Sequence, residues 1–109
     1  MAMGIVVAAF DWDEGNWPKC GNHGVKKDEI EYVIKNAKFT IDDPSIDEKR
    51  LRTAGQAQSG RFVFVAFTFR HRSSADQMEQ TLIRPISARY MHKKEIDQYE
   101  KAMAGFKDR

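Results

Sequence analysis

Only one cysteine, Cys20, stands among the 109 residues. No internal disulfide can form, so stability has to come from packing, which suits a reducing compartment. Any long hydrophobic run is equally absent. The stretch "MGIVVAAF", residues 3–10, stops at Asp11, far short of the roughly 20 apolar residues a membrane helix needs. It has neither the basic flank nor the cleavage site of a signal peptide, and reads as the opening strand of a cytoplasmic protein with no membrane association. There is no low-complexity tract. With 41% hydrophobic and 31% charged residues the chain is expected to form one globular domain over residues 1–109. None of the seven glycines falls at the spacing of a phosphate loop, a dinucleotide fingerprint or a nucleophile elbow. Nucleotide-dependent chemistry is therefore not expected, and no cofactor is implied.

What is present reads as an alternation of strands and helices. Residues 4–10 are small and β-branched and form a first strand. In "DEGNWPKCGNHG", Asn16 is placed to cap a short helix with Trp17 and Pro18 in its first turn, and Gly24 to stop it. The segment "VKKDEIEYVIKNA" sets Ile30, Val33, Ile34 and Ala37 on one helical stripe, with Val25 positioned to staple onto Ile30. A short strand in "KFTIDDP" closes in an Asp-Asp-Pro turn, and "EKRLRTAGQAQ" follows as a strand with basic residues on one side. The strongest signal is "RFVFVAFTFR", residues 61–70, apolar on both alternating faces as in a central, doubly covered strand. Gln58-Ser59-Gly60 before it marks a hairpin turn, and "HRSSADQMEQ", residues 71–80, reads as a mobile polar loop. In the last strand, "TLIRPISA", Pro85 favours an edge position or a bulge. A terminal helix sets Ile96, Tyr99, Met103 and Phe106 at helical spacing. The expectation is an α+β fold: an antiparallel meander sheet packed by one or two N-terminal helices and a C-terminal helix.

Charge is unevenly distributed. Residues 1–48 hold five lysines and ten acids, net −5; residues 49–109 hold thirteen Lys or Arg and six acids, net +7. Arg50 and Arg52, two apart on one strand, share a face, Arg84 and Arg89 bracket the last strand, and Lys93 and Lys94 open the terminal helix. A guanidinium suits phosphate because its planar fork donates two parallel hydrogen bonds and stays charged at any working pH. Charge and spacing do not choose between a phosphate surface and ion pairs with acids of the first half, such as Asp43 or Glu48. On a phosphodiester, RNA cleavage needs only a base for the 2′-hydroxyl, cations for the developing charge and an acid for the 5′-oxygen. His23, His92, Tyr90, Lys19 and Glu48 are the proton-transfer groups on offer, and Trp12 and Trp17 serve base stacking or the core. Cys20 and His23 have half the spacing of a zinc site, but no second pair follows. As a nucleophile Cys20 lacks a demonstrated base, so a packed free cysteine is the expectation, with no metal site.

The segment "FDWDEGNWPKCGNHGV", the helix after it, "DPSIDEKRLRTAG", "GRFVFVAFTFR" and "IRPISARYMHKKEIDQYEKA" together resemble the BrnT family of toxins from bacterial type II toxin–antitoxin modules. The resemblance runs from about Phe10 to Ala102, and its most specific blocks are Trp12, Asp13, His23, Gly24 and Val25, then Arg84, Ile86, Ser87, Ala88 and Arg89. It implies a RelE-like fold and a metal-independent ribonuclease that inhibits translation. It also implies neutralisation by a BrnA antitoxin whose ribbon-helix-helix part binds operator DNA. The implied catalytic residues are Lys19, His23, Arg50, Arg84 and Arg89, with His23 as acid or base; Arg52, Tyr90, His92, Lys93 and Lys94 are expected to bind the RNA around them. The chain departs from the pattern at Asn22 and Gln56, where the family often has cations. These departures motivate an alternative, a weak or inactive relative that acts as an antitoxin-binding module.

Overall fold

The computed structural model describes residues 9–43, 49–73 and 79–107. In chain order it comprises β1 (Ala9–Phe10), a 3-10 turn (Lys19–Gly21), α1 (Lys27–Lys35), β2 (Ile41–Asp43), β3 (Arg50–Gln56), β4 (Phe62–Ser73), β5 (Glu79–Tyr90) and α2 (Lys93–Lys107). The five strands lie in the order β1-β5-β4-β3-β2, antiparallel except for the parallel β1–β5 pair. The α+β class and the mainly antiparallel sheet are as expected. Of the opening strand only Ala9–Phe10 falls within the described residues.

Hydrophobic alternation in β4 sets the two faces of the sheet. Val63, Val65 and Phe67 are buried against Ile30, Val33 and Ile34 of α1, with Val25, Cys20, Ile83 and Ala88 completing the cluster. The α1 stripe falls where the periodicity puts it, although Ala37 lies beyond the helix end. Val25 and Ile30 sit at the positions flanking the cap that a hydrophobic staple uses, and both are buried. The Lys26 backbone N–H closes the cap by donating to Glu29, 3.0 Å away. Glu29 also accepts from Ser59 in the β3–β4 hairpin and from Tyr90 Oη at 2.6 Å, so one buried carboxylate ties the start of α1 to two strands. The even residues of β4 are less deeply covered: Phe62 and Phe64 are half-buried where a doubly covered strand was expected. One side of the sheet carries α1, whereas the other carries α2 at one end, where the Tyr99 ring meets Phe62 edge-on at 5.8 Å.

Three further expectations change. Asn16 does not cap a helix, because its side chain is used to join two elements: Nδ2 donates to the carbonyls of Asp11 and Pro85, both at 2.9 Å, and Oδ1 accepts from the Asp13 N–H. The local helix shrinks to the 3-10 turn after Pro18, with Cys20 pointing into the core; Gly24, at φ +90°, ends the segment in a conformation only glycine adopts without strain. Of the loop expected over residues 71–80, the described residues, 71–73 and 79–80, are strand, since β4 continues through Ser73 and β5 begins at Glu79. At the sheet's end a strand needs ladder partners rather than apolar side chains, so polarity misled. Residues 74–78 lie outside the described residues, as does Pro44 of the expected Asp-Asp-Pro turn, whereas Asp42 and Asp43 belong to β2. Pro85 meets its expectation with a bulge: Phe67 pairs with Pro85 and Ala66 with Ser87, leaving Ile86 as the extra residue.

The tryptophans belong to the segment between β1 and α1. Their rings meet edge-on at 5.5 Å, Trp12 Nε1 donates to Glu31, and Lys27 Nζ stands 5.1 and 5.0 Å from the two ring centroids. This clamps the segment to α1. Because Asn16 satisfies two carbonyls across a buried junction, Asn16→Ala is expected to cost about 3 kcal/mol, read as a lowered urea midpoint with an unchanged slope. A loss below about 0.5 kcal/mol would show the junction to be held by something else.

Candidate functional site

Walking along the even residues of β4 from the α2 end displays the less covered face in order. Phe64 pairs in register with Arg89, Ala66 with Arg52 on one side and Ser87 on the other, Thr68 with Arg84, and Arg70 with Leu82. Arg84 and Arg89 are five residues apart, an odd interval that in a regular strand puts two side chains on opposite faces. The extra residue at the bulge restores the phase. Both arginines therefore pair with even residues of β4 and emerge on one face.

Between Arg52, Phe64, Ser87 and Arg89 runs a groove of about 340 Å³, closed at one side by His23 from the loop after the 3-10 turn and at another by Glu95 from the first turn of α2. The Arg89 guanidinium lies 4.7 Å from the Phe64 ring centroid and gives both terminal nitrogens to Glu95, each at 2.9 Å. Glu95 stands at the third position of α2 and also accepts the His92 backbone N–H at 2.8 Å, half of a capping box. Hydrogen bonds from Arg89 first, then from His92, hold the Glu95 carboxyl far below its ordinary value of 4.5, at about 2. Arg89 in turn is held more firmly protonated by the same carboxylate.

Arg84 faces a different environment. Its Nη1 reaches Asp11 at 3.0 Å and Asp13 at 3.1 Å, its Nη2 reaches Asp13 at 2.9 Å, and only 15% of its side chain is exposed. Arg70 adds a second cation to Asp11 at 3.5 Å. Hydrogen bonding to Arg84 lowers the Asp13 pKa, and Asp13 before Asp11 raises that of Arg84. A Cβ on Gly15 would stand 2.8 Å from the Arg84 guanidinium, so a side chain here would push this cation from its present position. Arg84 thus fastens the segment between β1 and α1 to β5, and the pairing with first-half acids left open by the sequence is realised here, with Asp11 and Asp13 as the acids.

The remaining site residues scatter. Arg50 stands two residues before Arg52 on the same face, outside the lining of the groove, and Glu48 is not among the described residues. Lys19 is exposed on the 3-10 turn, and His92, Lys93 and Lys94 are exposed at the start of α2, flanking Glu95. Tyr90 lies on the other face: it pairs with Val63, donates to Glu29 and stacks under the Arg61 guanidinium at 3.5 Å. Burial, with Glu29 adding to it, raises its pKa. Burial also raises the Cys20 thiol, which disfavours a thiolate nucleophile; among the described residues no three His, Cys, Asp or Glu side chains gather as metal ligands would. Asn22 and Gln56 are exposed and neither lines the groove; Gln56 donates to the Gly60 carbonyl at 3.0 Å. Sequence reasoning missed Glu95 as a member of the site. Its signal was present in "HKKE", where a glutamate three residues after the start of a helix is placed to accept the cap N–H.

A family model described as "Ribonuclease toxin, BrnT, of type II toxin-antitoxin system" matches residues 12–95, a span that includes every residue lining the groove. No curated protein and no solved structure matches the chain.

The two arginines are expected to separate in stability measurements. Arg84→Ala leaves a buried aspartate short of its main partner and costs about 3 kcal/mol, whereas Arg89→Ala, removing a part-exposed pair, costs about 1 kcal/mol or less. Equal urea midpoints for the two variants would overturn the assignment. Stability should also fall in acid. Asp13, Glu29 and Glu95 all have carboxyl pKa values below the ordinary range, so their contribution is complete above the unfolded values near pH 4.5 and is lost as pH falls through the folded ones. For Glu95 that window runs from 4.5 to about 2, and Glu95→Gln should flatten the thermal-melting profile across it.

Proposed function

Because the chain belongs to the BrnT family of ribonuclease toxins of type II toxin–antitoxin systems, we propose that its groove holds the scissile phosphodiester of an RNA and that cleavage there is metal-independent. The observation that supports this best is the convergence of His23, Arg52 and Arg89 on one concave patch of sheet. A phosphodiester needs cations whose geometry is already fixed. Arg89 is set on the Phe64 ring and does not have to be ordered when RNA arrives, and Arg52 rises from the paired strand opposite. His23 is exposed at the groove wall, where its imidazole can donate to a departing 5′-oxygen. Lys93 and Lys94 on the adjoining helix start extend positive charge towards the flanking nucleotides, with the His92 ring exposed beside them. Arg50 adds charge along the same strand, while Lys19, Arg84 and Tyr90 support the site from outside it.

In this reading the protein is a cytoplasmic endoribonuclease on a single RelE-like domain that inhibits translation. A BrnA-type antitoxin with a ribbon-helix-helix part neutralises it, and operator DNA is engaged through that partner alone. Among the described residues no helix is long and apolar enough to cross a membrane. One observation favours the second reading, a catalytically silent antitoxin-binding module: Arg84 and Arg89 are both paired with carboxylates. The position of Asn22 and Gln56 outside the groove weighs the other way.

Purified protein incubated with labelled RNA in EDTA decides between the two. Cleavage is expected from the parent, with a drop of about 100-fold in Arg52→Ala and in Arg89→Ala, both of which should remain folded. Intact RNA after incubation with folded parent, with and without ribosomes, would leave the binding module as the function.

A further inference from the structure

The groove contains one group that the family's cation pattern does not account for, the Glu95 carboxylate. We propose that Glu95 is the catalytic base for the 2′-hydroxyl, and that Arg89 holds it in reserve until the scissile phosphate takes its place on the guanidinium. The inference rests on the reading of the groove as an RNA phosphodiester site and adds to it the missing proton acceptor.

The geometry is a competition for one fork. Both terminal nitrogens of Arg89 are engaged by Glu95 in the free protein, and these are the donors a phosphodiester would take in a two-point contact. Arg89 is held in place by the Phe64 ring independently of the carboxylate, so it keeps its position when the anion on it changes. Glu95 is likewise held apart from Arg89, by the His92 N–H at the cap of α2, and a displaced carboxylate therefore stays at the groove instead of swinging into solvent. The charged and titratable groups that face it are Arg89 from β5, Arg52 from β3, His23 from the loop wall and His92 on its own helix. While paired, Glu95 is too weak a base to matter, since its pKa is about 2. Giving up its strongest partner to the phosphate returns it towards the ordinary carboxylate range, where it accepts a proton. Base strength thus appears only when substrate is seated.

The step balances without a further reactant. The Glu95 carboxylate takes the proton of the ribose 2′-hydroxyl, and the 2′-oxygen forms a bond to phosphorus. The bond from phosphorus to the 5′-oxygen breaks, and the leaving oxygen takes a proton from the His23 imidazolium. Arg89 and Arg52 stabilise the charge on the non-bridging oxygens. The products are a 2′,3′-cyclic phosphate and a free 5′-hydroxyl, with Glu95 left neutral and His23 deprotonated; exchange with water restores both.

The test uses the full chain and two variants, Glu95→Gln and Glu95→Asp. Glutamine still accepts the cap N–H but cannot take a proton from a hydroxyl. Cleavage of mixed-sequence labelled RNA is followed in EDTA without ribosomes and in magnesium buffer with them, and binding of the same sequence as 2′-O-methyl RNA is measured alongside. The parent is expected to leave cyclic-phosphate and 5′-hydroxyl ends. Glu95→Gln should cut at least about 100-fold more slowly while binding the 2′-O-methyl RNA as tightly as the parent or more so, because a competing carboxylate has gone. Glu95→Asp should recover part of the rate, and the acid limb of the parent's kcat profile should be missing from the residual activity of Glu95→Gln. Parental rates in Glu95→Gln would overturn the assignment and leave the ribonuclease reading standing. Loss of binding together with rate in Glu95→Gln would make Glu95 a residue that merely orients Arg89. Uncut RNA in every arm would remove both the base and the ribonuclease.

Discussion

The ladder between β4 and β5 is the constraint from which the rest of the molecule follows. It runs from Val63 opposite Tyr90 to Ser73 opposite Glu79 and changes phase once, at the bulge beside Pro85. That single extra residue decides which side chains share a face. On the Tyr90 side of the bulge, alternation sends Tyr90 to the α1 face and Arg89 to the groove. Beyond it, the restored phase brings Arg84 round to the groove's face, where Asp11 and Asp13 receive it. Pro85 lacks an N–H to offer a ladder, and its carbonyl is turned instead to the Asn16 amide. The irregularity in the sheet and the docking of the preceding segment are thus one event.

Seen in this frame, the uneven charge of the chain has two destinations. At one end of the face the acids of the early segment neutralise Arg84 and meet Arg70, and the result is structural cohesion. In the groove the balance is different. Arg89 is matched by a single glutamate from its own half of the chain, part-exposed and mounted on a helix end, and Arg52 stands opposite. A fixed ion pair and an exchangeable one have been built from the same residue types, and burial separates them: the Arg84 side chain is 15% exposed, that of Arg89 43%.

The sequence made legible whatever depends on periodicity. The β4 strand, the α1 stripe with its staple and the hairpin at Gln58–Gly60 follow from residue spacing within one element. What it could not show depends on relations between elements. That Arg84 and Arg89 share a face requires the bulge to add a residue between them, and a proline raises that possibility without locating it. Tyr90 is expected at the RNA surface with Arg89, yet adjacent residues in a strand point apart. The polar stretch after residue 70 looked like a loop because strand signals are written in apolar residues, which the end of a sheet does not require. Glu95 resembled one more surface acid of a helix, since nothing local reveals that the groove lies beneath the first turn of α2.

The two tryptophans carry one more consequence. Both lie in the segment clamped between α1 and β5, with Lys27 against their rings and Glu31 on the Trp12 indole, and neither lines the groove. Their fluorescence is an optical gauge of that segment alone. Emission is expected to stay constant while anions come and go at Arg89, and to shift when the early segment lifts from the strand that Arg84 fastens it to. Occupancy of the groove and integrity of its supporting wall can therefore be followed as separate signals in the unlabelled protein.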